Sequence, residues 1–177
     1  MKNAKRWRID LETLDRAMEA VRGHAKETPL ERASALGDGV WLKLETEQHT
    51  GSFKFRGALS KLATVDAREV VTASAGNHGY GLARAGATLG VTVTVFVSRY
   101  APEVKRRGMA DAGARVQLVQ QRAYDDVEAA ARASAAERGV PFVSPFDDPV
   151  VAAGNGGTLA RELLRACPDA ATVVAPV

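Results

Sequence analysis

Short β-branched runs and helix-patterned segments take turns along most of this chain, and that alternation constrains its fold more than any other feature. Residues 70–73, 91–97, 115–119 and 141–143 read as strands, rich in valine and bounded by glycine, proline or polar residues. Between them, residues 77–89, 102–112 and 125–138 carry helical signals, with Pro102 in a first turn and Gly90 just past a helix end. Residues 10–25 form an amphipathic helix with Leu11, Leu14, Met18 and Val21 on one face and Asp10 as its N-cap. Residues 40–45 read as a strand, 54–63 as a helix, 149–167 as a helix and 172–177 as an apolar strand. Strands separated by helices predict an α/β fold with parallel sheets covered by helices. No repeat of fixed period appears, which excludes a solenoid.

Composition narrows the function classes. The 177 residues are 46% hydrophobic and 25% charged, ordinary for a globular protein, and the net charge of +3 is spread among alternating signs. Nucleic acid is therefore not an expected partner. Cys167 is the single cysteine, so no internal disulfide or thiol pair exists and a reducing compartment fits. The N-terminus is polar, no apolar run is long enough to span a bilayer, and the expectation is a cytoplasmic protein without membrane contact. His24, His49 and His78 lack metal-ligand spacing, so no metal site is expected. Lys105-Arg106-Arg107 reads as a solvated helix face, Asp147-Asp148 as a helix start, and Gly154-Asn155-Gly156-Gly157 as close helix packing. A strand that feeds nothing after Val177 suggests a C-terminally truncated chain.

Two constellations carry chemistry. In Thr50-Gly51-Ser52-Phe53-Lys54-Phe55-Arg56-Gly57 a polar loop enters a helix near Lys54. The helix dipole, burial and Arg56, if close, would each depress the lysine pKa, giving the neutral amine that a Schiff base with a carbonyl requires. Phe53 and Phe55 would supply apolar walls; the competing reading makes the cations solvated and the aromatics core. In Ser74-Ala75-Gly76-Asn77-His78-Gly79 a strand gives way to a helix whose first N–H groups can bind an anion, a carboxylate or a phosphate. The competing reading is an N-cap with glycines that ease packing.

Together and in this order, TGSFKFRGA and SAGNHGYGLA resemble the fold-type II pyridoxal-phosphate (PLP) enzymes of the threonine/serine dehydratase and serine racemase family. SPFDDPVVAAGNGGTLARELL and TVVAPV are similar to later parts of it, so the resemblance runs from about residue 28 to residue 177. It implies that Lys54 forms the internal aldimine, that Phe53 lies against the pyridine ring and that Asn77 bonds the ring hydroxyl. Ser74, Gly76, Asn77 and His78 would hold the substrate carboxylate. It implies a two-domain plan, with residues 57–145 a smaller α/β domain and residues 1–56 and 146–177 an incomplete large cofactor domain. The implied reaction is β-elimination of water from threonine or serine to a 2-oxo acid and ammonia, in a homodimer. The Phe-Lys-Phe-Arg run and the Asn-His pair resemble the dehydratase branch. Ala75 stands where the family's racemases carry a serine. The family's phosphate-binding tetraglycine loop would follow Val177, so the chain alone is expected to be inactive and to bind PLP poorly. A non-catalytic fragment, a half needing a partner chain, an amino-acid racemase and a Rossmann-like nucleotide binder are the alternatives.

Overall fold

The computed structural model describes residues 8–175. The polar stretch before residue 8 and the last two residues of the terminal run lie outside the described residues.

Helix α1 (Leu11–Val21) opens with Asp10, whose Oδ1 accepts the Thr13 N–H at 2.8 Å. It stops four residues short of the expected end because Gly23 turns the chain in the left-handed region (φ 75°). A small antiparallel hairpin follows, β1 (Leu30–Arg32) on β2 (Trp41–Lys43), with Glu31 opposite Leu42. The first of these strands has one apolar residue in three and gave no periodicity to read.

Helix α2 (Lys54–Leu62) leads into the main sheet. Strands β3 (Glu69–Ala73), β4 (Thr92–Ser98) and β5 (Arg115–Val119) are parallel and lie in the order β3-β4-β5. Helices α3 (Asn77–Leu89), α4 (Glu103–Asp111) and α5 (Tyr124–Glu137) alternate with them. The predicted βαβ alternation is thus present, and Gly90 ends α3 with a left-handed φ of 72°. Residues 141–143 do not form a full strand. They touch the free edge of β3 through a parallel bridge between Phe142 and Val71. Val71 donates to the Pro141 carbonyl at 2.9 Å, and Val143 donates to the Val71 carbonyl at 2.8 Å.

Strand pleating divides the core between two faces. Val70, Val93 and Val95 pack with Leu59, Leu62, Leu82 and Met109 on one side. Val71, Ala73 and Phe96 pack with Val127, Ala131 and Ala135 of α5 on the other. Both faces are covered, as parallel sheets require. Each fully buried valine contributes roughly 1.5–3 kcal/mol relative to an exposed one.

The last helical region departs from expectation. Residues 149–167 are not one helix but α6 (Pro149–Ala152), a π-helical turn (Ala153–Gly157) and α7 (Thr158–Ala166). The expected terminal strand is also absent in its described part. Residues 172–175 have no regular structure, and Val174 is 92% exposed. Its β-branched residues have no neighbouring strand among the described residues to bond with. No helix among the described residues is long and apolar enough to cross a membrane.

Candidate active site

Lys54 is the first residue of α2, so its amine stands at the positive end of the helix. The side chain is half-buried, and Nζ lies 4.9 Å from the centroid of the Phe53 ring. It forms no ion pair among the described residues, and burial holds its pKa below the ordinary lysine range.

Arg56 has no part in that depression, contrary to the expectation from sequence. Two residues further on, its side chain leaves the helix about 200° around the axis. Its guanidinium is buried and points at two carboxylates. Nε and Nη2 donate to Glu45 at 3.0 and 2.9 Å, Nη1 and Nη2 to Glu162 at 2.5 and 3.0 Å, and Nη2 also to the Lys26 carbonyl at 2.9 Å. Lys43 Nζ completes the cluster, 2.5 Å from Glu162 Oε2. Burial opposes the Arg56 charge, but the Glu45 and Glu162 bonds outweigh it and hold the pKa above the ordinary range. The cluster ties α2 to α7, to β2 and to the segments on either side of the hairpin. Sequence reasoning missed it because its partners stand 11 and 106 residues from Arg56.

Helix α3 begins beside α2. A Cβ on Gly81 would come 3.0 Å from the Lys54 carbonyl carbon and 3.1 Å from the Phe55 nitrogen, so only glycine permits this approach. The loop before α3 is shaped by Ser74, whose Oγ accepts the Gly76 N–H at 3.1 Å and the Gly79 N–H at 3.0 Å. Gly76 caps the helix without a side-chain bond. The N–H groups of Asn77 and His78 belong to the first turn and find no acceptor among the described residues. The Asn77 side chain is exposed. His78 is 4% exposed, and neither ring nitrogen has a partner. Burial first, then the charge of Lys54, pushes its pKa down to about 4, against weak opposing pulls from the Val143 main chain and Asp148. The imidazole is therefore neutral at pH 7. Phe53, Lys54, Ser74, Gly76, Asn77 and His78 all belong to these two adjoining helix starts.

Two aromatics absent from the sequence reading stand at the same end of β3. Tyr124 Oη reaches to 3.5 Å from the Ala73 carbonyl, and its ring meets that of Phe146 edge-on at 5.6 Å. Burial pushes the Tyr124 phenol well above its usual range. Asp148 caps α6 by accepting from Val150 and Val151 and pairs with Lys61 at 2.7 Å, in keeping with a helix start.

The family described as pyridoxal-phosphate dependent enzyme matches residues 21–177. This chain belongs to that family. An L-threonine ammonia-lyase of Thermotoga maritima is 38% identical over 177 residues, which cover 96% of this chain and 44% of that protein. The processed form of threonine deaminase isoform 2 from Solanum lycopersicum superposes with a TM-score of 0.80 at 32% identity, over 90% of this chain and 47% of that one. Serine racemase from Dictyostelium discoideum superposes with a TM-score of 0.82 at 29% identity, over 91% and 54%. The chain spans about half the length of these relatives. Its residues fit the family's cofactor on the lysine side. An amine with a lowered pKa and, among the described residues, no counter-ion stands over an aromatic ring, and Ser52 Oγ and both His78 nitrogens are buried polar atoms without partners among those residues.

Proposed function

We propose that this chain supplies the lysine and the carboxylate-binding loop of a PLP-dependent ammonia-lyase. The reaction converts a hydroxy amino acid such as threonine or serine to a 2-oxo acid and ammonia. The observation that carries the proposal is the state of Lys54: an amine at a helix start, without a counter-ion among the described residues, its pKa lowered by burial. A cationic lysine can neither attack a carbonyl nor accept a proton, so lowering its pKa is the condition for both roles. When bound, PLP supplies an electron sink for the carbanion formed at the substrate α-carbon.

Lys54 Nζ would first bind the cofactor and then, once released, take the α-proton as general base. The N–H groups of Asn77 and His78 would hold the substrate carboxylate, helped by the α3 dipole. Ser74 shapes that loop by accepting from Gly76 and Gly79. Asn77, exposed at the first position of α3, would bond the cofactor ring, and Phe53 would lie against it. The neutral His78 adds no positive charge of its own beside Lys54 at working pH. The two-domain plan belongs to this proposal. It is supported by the main parallel sheet lying wholly within residues 57–145. The dehydratase relatives support the substrate class.

A racemase is the second reading, favoured by the serine racemase neighbour. Ala75 opposes it. The residue is exposed in the loop and carries no proton, whereas racemisation needs an acid–base group on each face of the substrate. Loss of a general acid typically costs about 10²–10⁴-fold in rate. The test uses the natural protein. Borohydride reduction with PLP, followed by peptide mapping, is expected to place the adduct on Lys54; an adduct on another lysine overturns the assignment. Incubation with L-serine is expected to give pyruvate faster than D-serine, and equal rates would favour the racemase.

A further inference from the structure

We infer that the carboxyl edge of β4 and β5 carries a second binding site, for a small oxyanion with two negative charges. A cavity of about 330 Å³ opens there, lined by Arg99, Arg106, Leu118, Val119 and Gln120. Arg99 directly follows β4, Gln120 directly follows β5, and Arg106 reaches in from α4. The carboxyl ends of parallel strands are where open α/β sheets take their ligands. This edge is shared with Ser74, but the residues are different ones, two strands being offset from β3.

Three features separate this cavity from an ordinary basic surface. First, its lining holds two arginines and no acid. The acidic residue at the start of α4, Glu103, pairs instead with Arg107. Like charges gathered without a counter-ion are unfavourable, and an anion removes that cost. Second, Arg106 Nε is buried without any hydrogen-bond acceptor. A buried unpaired donor is expensive and rare, so the Arg106 guanidinium gains by turning towards a ligand oxygen. Third, the Arg99 guanidinium is already engaged at the cavity. Its Nη1 donates to Gln120 Oε1 at 3.1 Å. An arginine held in this way loses less freedom when it binds.

The lining also indicates the ligand class. Two guanidinium forks match the paired oxygens of phosphoryl or carboxylate groups. Leu118, 46% exposed, adds apolar lining beside them, which admits a short carbon skeleton.

The test is a calorimetric titration of the chain with inorganic phosphate and, separately, with succinate, at ionic strength held constant with sodium chloride. Saturable binding of either is expected. Phosphate alone would assign a phosphoryl ligand, and succinate alone a dicarboxylate. Arg99→Gln and Arg106→Gln should each weaken binding about tenfold or more, the scale of one lost charge-assisted bond. Lys105→Gln, on the exposed face of the same helix, should leave it unchanged. No heat beyond the chloride control, or equal binding by the double Arg99→Gln, Arg106→Gln variant, would overturn the site.

Discussion

His78 combines deep burial with ring nitrogens that have no hydrogen-bond partner within bonding geometry among the described residues, and this makes it sensitive to acid. Its pKa is about 4 in the folded chain against 6.5 for an unperturbed histidine. Between those values the unfolded chain binds a proton that the folded chain refuses. Stability is therefore complete above pH 6.5 and falls as pH drops towards 4, by about 3 kcal/mol in all. Urea unfolding at a series of pH values should show this loss before the carboxylates titrate, and His78→Gln should flatten it. An unchanged acid limb in that variant would show that another group is responsible. The neighbouring helix start handles its two cations in opposite ways. Arg56 is buried with two carboxylates and stays charged, while Lys54 is given none and is pushed towards neutrality. The proposed chemistry needs the second arrangement, and the first anchors the helix that presents it.

At the scale of elements, the π-helical turn at Ala153–Gly157 explains why a glycine-rich run sits in a helix. The turn brings Asn155 against the start of α2, where its Oδ1 accepts the Gly57 N–H at 2.9 Å. One of α2's orphan donors is satisfied this way, three residues from Lys54. The backbones approach so closely that a Cβ on Gly154 would lie 2.4 Å from Ser60 Oγ and 2.6 Å from Gly57 Cα. Gly154→Ala should thus destabilise the chain by about 1–3 kcal/mol through overpacking. Gly156 faces open space, and Gly156→Ala should be neutral or mildly stabilising. Equal urea midpoints for the two variants would contradict this packing. Close packing was readable from the glycines; the π turn was not. An extra residue in one turn leaves composition unchanged and shifts the apolar stripe by only one position.

Across the whole molecule, the sheet is unevenly protected. β4 lies between two strands, and β3 has β4 on one side and Phe142 on the other. β5 is an edge, with Arg115, Gln117 and Leu118 exposed. Amide hydrogen exchange should be slowest at Val70–Ala73 and Val93–Val97, faster at Arg115–Val119, and unprotected at residues 172–175. Protection of β5 equal to that of β3 would mean that this edge is covered. β-Branched residues fill three of five positions in β3, five of seven in β4 and two of five in β5, and the ranking depends further on neighbours far away in sequence.

Local physics reached the strands β3, β4 and β5 and the helices between them, because pleat and helix periodicities are written within a few residues. It also reached Lys54 at a helix start and the donor-rich start of α3, since both depend on turn and cap chemistry over short spans. The absence of a strand at residues 172–175 was beyond it, because a β-strand exists only when another strand takes up its hydrogen bonds. The isolation of Lys54 was equally out of reach. Arg56, two positions away, looked like its electrostatic neighbour, and only folding brings Glu45 and Glu162 to the far side of α2 to claim that charge. A pKa depends on which groups are within a few ångströms, and at this site tertiary packing chooses them.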